Sequence, residues 1–162
     1  MQPNNPEDIF NVSKLGGESL CINSGRQNVR AVRLSNVIGE DFSSRNFVFD
    51  LMQAAVSGGK ITLRSSPVSE KDYIHIADVV EMIAMIARAG VAPLYNLASG
   101  TNVTNEQIIE QICMEIPAEL EVVPDAPTIR FRPIDIGKII REFGFTPRPV
   151  LPYVRQLAAS FR

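Results

Sequence analysis

The sequence predicts a single α/β unit, and three observations predict it. Hydrophobic residues recur alternately with a helical and an extended period along the whole chain. Glycine, proline or a capping residue falls at most changes of period. The 162 residues, 45% hydrophobic and 21% charged, suffice for one core and are ordinary for a folded domain.

The elements follow in order. Val12 to Ser24 reads as a helix stopped by Gly25, a residue suited to the left-handed position after a helix. Asn28 to Val37 is rich in β-branched residues and reads as one strand, closed by Ile38-Gly39. Phe47, Val48, Leu51, Met52, Ala55 and Val56 keep one face of a helix that ends at Gly58-Gly59. Ile61 and Leu63 mark a short strand, and Tyr73 to Ile76 another. Asp78 is placed to cap a helix carrying Val79, Val80, Ile83, Ala84 and Ala87 on one stripe, with His75 a packed strand residue.

The alternation then repeats. Leu94 to Ala98 is a short apolar strand. Thr104 and Gln107 form a capping box ahead of a face made by Ile108, Ile109, Ile112, Cys113 and Ile116. Glu119 to Val123 reads as the last strand. Asp135 caps a helix with Ile136, Ile139, Ile140 and Phe143 inward, ended by Gly144, and Phe145 is expected to fold back onto Ile140. Pro152 opens a final helix with Val154, Leu157, Ala158 and Phe161 on one side.

Composition excludes several classes of function. A formal net charge of -2, with arginines and lysines scattered, gives no long-range pull on nucleic acid or membrane. No apolar run approaches the ~20 residues needed to cross a bilayer, and the start of the chain lacks the basic and apolar regions of a signal peptide. Cys21 and Cys113 both sit in apolar helical patterns and are expected to be small buried hydrophobes, consistent with a reducing cytoplasm. The sequons at Asn11 and Asn102 are then chance matches. No G-x-G-x-x-G occurs, Ala54 stands where a P-loop ending in Gly59-Lys60 needs its first glycine, and a single histidine excludes most zinc arrangements.

Four segments carry more specific information. They are Phe10-Asn11-Val12-Ser13-Lys14, followed by Gly16-Gly17-Glu18; Val32-Arg33-Leu34-Ser35-Asn36-Val37-Ile38-Gly39; Lys71-Asp72-Tyr73-Ile74-His75-Ile76-Ala77-Asp78; and Tyr95-Asn96-Leu97-Ala98-Ser99-Gly100 with Asp135 to Pro147. Taken together and in this order, they resemble the NAD-dependent epimerase/dehydratase family, the extended short-chain dehydrogenases, from the active-site helix to the end of the chain. The resemblance implies a partial Rossmann-like sheet plus the small sugar-nucleotide-binding lobe. Residues 1–58 would be the remnant of the Rossmann-like part, and 59–162 mainly the substrate lobe.

The resemblance also implies roles. The first segment resembles the family's Tyr-x-x-x-Lys helix, where the tyrosine transfers a proton and the lysine holds the nicotinamide ribose. Here Phe10 has no proton to give, while Lys14 remains, either as a ribose contact or as a solvent-facing helix lysine. Asn36 resembles the residue that hydrogen-bonds the diphosphate or sugar, although a turn asparagine satisfying the local backbone reads equally well. Lys71 replaces an arginine that grips the diphosphate, a point charge in place of a planar fork. Arg132, or Arg130, is a candidate second phosphate contact, with a plain surface arginine as the other reading of either.

NAD or NADP is the family's cofactor. Without the glycine fingerprint that brings pyrophosphate to a helix N-terminus, this chain is not expected to hold it tightly. Three functions remain open: a truncated pseudoenzyme that binds a sugar nucleotide, a structural fragment that self-associates, and an enzyme completed by another chain. A homo-oligomer is expected because the Asn28–Val37 strand would show an unpaired edge; folding back of Met1 to Asp8 over that edge is the alternative.

Overall fold

In the computed structural model, which describes residues 5–40 and 46–161, helices and strands alternate. They are α1 (Pro6–Ile22), β1 (Ala31–Leu34), β2 (Asn36–Ile38), α2 (Phe47–Gly58), β3 (Lys60–Leu63), β4 (Glu70–His75), α3 (Ile76–Ala89), β5 (Leu94–Leu97), β6 (Asn102–Thr104), α4 (Asn105–Cys113), β7 (Glu119–Val122), α5 (Gly137–Phe143) and α6 (Val150–Ser160). β1 runs parallel to β5, β2 parallel to β4, and β3 parallel to β7. β6 is antiparallel to the first half of β4. Parallel neighbours need a crossover between them, which is why helices separate most of these strands.

β4 divides the core. Side chains of successive strand residues point to opposite faces, so Tyr73 and Ile74 serve different clusters. Tyr73 joins Met52 of α2, Ile61 of β3, Ile112 of α4 and Val154 of α6. Ile74 joins Val79, Met82 and Ile86 of α3, Tyr95 and Leu97 of β5, and Ile139 of α5. Each such aliphatic side chain contributes about 1.5–3 kcal/mol by leaving water, against roughly 1 kcal/mol for a helix cap. Packing therefore holds the fold, and the caps mainly set where the helices begin.

Several expectations hold at the level of single residues. The Thr104 hydroxyl accepts the Gln107 N–H at 3.2 Å, and Gln107 Oε1 accepts the Thr104 N–H at 2.9 Å, which completes the capping box. Gly59 and Gly144 end α2 and α5 in the left-handed conformation, at φ 62° and 66°. Asp135 differs: the cap position of α5 is Ile136, without a side-chain capping bond, while Asp135 Oδ1 accepts the Gly137 N–H at 2.8 Å from one residue earlier.

Other expectations need correction. The segment from Asn28 to Val37 is not one strand: it bends at Ser35, whose N–H still reaches Leu97 O before the chain leaves β5 for β4. Val32 in the first half and Val37 in the second both pack, half-buried, against the second cluster, so the apolar pattern passes through the bend unbroken. α1 starts at Pro6, well before Val12, and its apolar residues Ile9, Phe10, Val12, Leu15 and Leu20 are exposed. Cys21 is exposed and Cys113 only half-buried, so neither is a fully buried hydrophobe. α6 starts at Val150, with Pro152 inside its first turn, where a missing N–H costs no helical bond. Phe145 packs with Ile139 in the second cluster, whereas Ile140 is exposed. On α3 the buried stripe is Val79, Met82 and Ile86, leaving Val80 and Ile83 exposed.

The cap of α3 is His75, not Asp78. His75 Nδ1 accepts the Ala77 N–H at 3.0 Å, and its ring lies 3.7 Å from that of Tyr153, centroid to centroid. Asp78 is buried one turn on, where its carboxylate accepts the Arg148 backbone N–H at 2.8 Å and pairs with the Arg148 guanidinium. The cap requires a neutral imidazole with Nδ1 unprotonated. Desolvation lowers the His75 pKa, opposed by the charge of Asp78, aided by Arg148 and opposed by Glu81. A lowered folded-state pKa gives stability that is complete above the ordinary value of 6.5 and is lost as pH falls through it. Thermal unfolding should accordingly shift to lower temperature between pH 7.5 and 5.5. His75→Asn, which keeps a capping acceptor without titrating there, should flatten that dependence; an unchanged slope would contradict the role.

Candidate functional site

The N-terminal ends of β2 and β4, together with β6 and residues 131–134, enclose a cavity of about 460 Å³. Asn36, Lys71, Asp72, Asn102 and Arg132 supply its polar lining. Local hydrogen bonding explains how residues distant in sequence meet there. The Asp72 carboxylate, only 3% exposed, accepts the Ser99 N–H at 2.9 Å, the Ser99 hydroxyl at 3.0 Å and the Gly100 N–H at 2.7 Å. This fixes the turn between β5 and β6 against β4. Glu70 receives the Phe131 N–H and gives its own to Ile129 O, laying residues 129–131 along β4. Asn102 Nδ2 donates to Phe131 O at 2.6 Å from the other side. Arg132 is thereby carried to the cavity.

Three residues singled out from the sequence, Asn36, Lys71 and Arg132, line this one cavity. Asn36 has one amide hydrogen committed to Asp72 O at 2.8 Å and keeps the second for another acceptor. Lys71 is half-buried, its Nζ 4.7 Å from the Phe47 ring centroid and 5.6 Å from that of Tyr73. Ring faces attract an ammonium but carry no formal charge. Desolvation pulls the Lys71 pKa below its ordinary value. Neither Lys71 nor Arg132 forms an ion pair among the described residues. The lining thus holds two cations without an ion pair and one buried carboxylate, Asp72, whose oxygens are taken up by Ser99 and Gly100, a net positive arrangement suited to an anion.

Sequence reasoning overlooked part of this lining. Asn102 was legible only as a chance sequon, yet its Oδ1 is buried and unpartnered, as is Ser35 Oγ. Asp72 stood inside a recognised segment without a role of its own. A second cavity of about 240 Å³ adjoins the first, sharing Lys71 and Phe131 and adding Phe47, Ser65, Glu70 and Asn105. Asn105 is oriented there by donating to Ser65 Oγ at 3.0 Å and to Ser66 O at 3.1 Å.

Phe10 and Lys14 lie elsewhere, on α1, and are not among the residues lining either cavity. Both are exposed, with the Lys14 ammonium 5.1 Å from the Phe10 ring centroid. No hydroxyl stands at position 10. The buried Tyr73 hydroxyl does not replace it: it is absent from the cavity lining, and burial raises its pKa, the wrong direction for a group that must exchange protons near neutrality. Among the described residues, the left-handed glycines are Gly25, Gly59, Gly100 and Gly144, and no glycine-rich turn leads from a strand into a helix N-terminus. Among the described residues no group of three His, Cys, Asp or Glu could hold a metal, and no helix is long and apolar enough to cross a membrane.

Comparison with known proteins places this architecture. The dTDP-glucose 4,6-dehydratase of Streptomyces griseus is 24% identical over 154 residues, covering 90% of this chain and 47% of that enzyme. Among solved structures, dTDP-glucose 4,6-dehydratase from Bacillus anthracis, in complex with NAD, superposes with a TM-score of 0.79 at 21% identity, over 98% of this chain and 52% of its own. RMD from Pseudomonas aeruginosa, complexed with NADPH, gives 0.77 at 24% identity, over 99% and 56%. The chain therefore spans about half the length of these relatives, and its fold is Rossmann-like α/β. The sequence pattern of the NAD dependent epimerase/dehydratase family matches residues 1–98, more than half of the chain, and the chain belongs to that family.

Proposed function

We propose that this chain binds a nucleoside-diphosphate sugar in the paired cavities and does not by itself carry out the family's reaction. The convergence of Asn36, Lys71 and Arg132 on one cavity carries this reading. In it, the diphosphate meets the Lys71 and Arg132 cations and the free Asn36 N–H, and the base enters the smaller cavity beside Phe47 and Phe131. MoeE5, a structural neighbour at 20% identity, was solved with UDP-glucuronic acid and NAD, and DesIV with NAD and TYD. Phe10 supports the absence of proton transfer. NAD is not held tightly by these residues, and Lys14 retains at most a ribose contact. In the same reading residues 1–58 belong to the Rossmann-like part and 59–162 to the substrate lobe.

Calorimetric titration with UDP- and dTDP-glucose tests the proposal. Lys71→Ala is expected to weaken binding by a few-fold to about tenfold, the effect of one partly solvated charge contact worth ~1 kcal/mol. NAD titrated alone should show no micromolar binding. Equal affinity in Lys71→Ala would remove the cavity from consideration.

A second reading has its own observation. The exposed apolar residues of α1 and the single pairing of β1, with β5 only among the described strands, favour self-association of the chain. The two readings are compatible at α1, which lines neither cavity, whereas β1 contributes Leu34 to the larger one.

A further inference from the structure

We propose that Lys71 is a selective acylation site, taking an acyl group from an acyl phosphate and thereby losing the charge that its cavity offers to an anion. The link to anion binding rests on the proposed function; the selectivity rests on the surroundings of the amine.

The chain's lysines are Lys14, Lys60, Lys71 and Lys138, and they differ in what surrounds the nitrogen. Lys60 is held by the Glu121 carboxylate at 3.1 Å. Lys138 donates to Leu94 O at 2.8 Å. Lys14 is exposed on α1, over one ring face. Lys71 alone stands in the wall between two cavities, half-buried, with two aromatic rings as neighbours and no carboxylate or carbonyl bonded to its nitrogen. An amine is nucleophilic only when neutral, and partial burial favours the neutral form, against the pull of the two ring faces and of the Asp72 and Glu70 carboxylates in the cavity walls toward the ammonium. The lowered pKa of Lys71 agrees with this.

The cavity also supplies the means of approach. Its 460 Å³ admits a small acyl phosphate, and the Arg132 guanidinium attracts the phosphate end. The nitrogen lone pair of the neutral amine attacks the acyl carbon, forming the C–N bond. The bond from that carbon to the phosphate oxygen breaks, phosphate leaves with the electron pair, and the proton shed by nitrogen passes to it. The products are an amide on Lys71 and hydrogen phosphate, so no oxidant or further reactant is required. Acylation removes the ammonium charge, and the modified side chain no longer attracts a diphosphate.

The test treats the folded protein with acetyl phosphate and follows each lysine by peptide mass spectrometry. Lys71 should be acetylated about fivefold or more faster than any other lysine, with the preference abolished in the urea-unfolded chain, because it arises from burial in the fold. Arg132→Ala should slow Lys71 several-fold and leave Lys14 unchanged. Similar rates at all four lysines of the folded chain, or fastest reaction at Lys14, would overturn the assignment. Adding UDP separates the two proposals. Protection of Lys71 supports a shared site, whereas fast, unprotected acetylation of Lys71 upholds the acylation site and overturns the nucleotide reading.

Discussion

Asp72→Ala should destabilise the fold by roughly 2–5 kcal/mol, a large share of the 5–15 kcal/mol that holds a typical domain. The Asp72 carboxylate accepts from Ser99 N, Ser99 Oγ and Gly100 N, and it is 3% exposed. Alanine leaves two backbone donors without their acceptor, each costing about 1–3 kcal/mol where water does not replace it. The turn has little room to relax. Gly100 holds φ 76°, and a Cβ there would stand 2.9 Å from Ile136, so the backbone is already closely packed. Asp72→Asn keeps the shape and one acceptor oxygen, and should cost less, about 1–2 kcal/mol. Urea unfolding measures both; an alanine variant within about 0.5 kcal/mol of the parent would show that the carboxylate does not hold the turn.

The elements were largely legible because hydrophobic period and end signals agreed. Gly59, Gly144 and the Thr104–Gln107 box each act through their own backbone neighbourhood, and the structure keeps them where the sequence puts them. Misreadings came where a choice depended on partners distant in sequence. α3 is apolar on most of its circumference, so its period cannot select Val79, Met82 and Ile86 over Val80 and Ile83; the position of β5 does. The exchange of His75 for Asp78 as the cap has a similar origin. Asp is a common capping residue, but here the carboxylate is taken by Arg148, 70 positions away. The bend at Ser35 follows from a change of strand partner, which alternation does not encode.

The site was legible through its charged residues and obscure in its lining. Lys71 and Arg132 stood out as cations in recognised or adjacent segments, and they do share a cavity. Phe131 and Asn102 were not legible, because their role depends on residues 129–131 lying along β4. A signal was available in Asp72. An acidic residue between a lysine and a tyrosine, in a strand about to be buried, needs donors to satisfy it. The small turn at Ser99-Gly100 is where they were to be found.

A two-fold dimer is the expected state of the chain at micromolar concentration, and α1 is its proposed contact. Ile9, Phe10, Val12, Leu15 and Leu20 are 49–77% exposed on one helix, an apolar area larger than scattered surface residues leave. Glu18 ties this helix to β1 through Arg33, at 2.6 and 2.7 Å, so the apolar side is presented in a fixed place. Residues 1–4 of the segment that would fold back lie outside the described residues, and Pro6 to Asp8 form the first turn of α1. One charged substitution in this contact should be enough to break it. Leu20, 77% exposed, is the informative position, because Leu20→Glu leaves the core intact. Val32, by contrast, packs against the second cluster, and a charge there would damage the fold as well as the edge. Light scattering should give twice the 17.9 kDa of one chain for the parent and 17.9 kDa for Leu20→Glu, with unchanged circular dichroism. A parent that is monodisperse at 17.9 kDa across the micromolar range would overturn the dimer and leave the apolar face of α1 to some other covering.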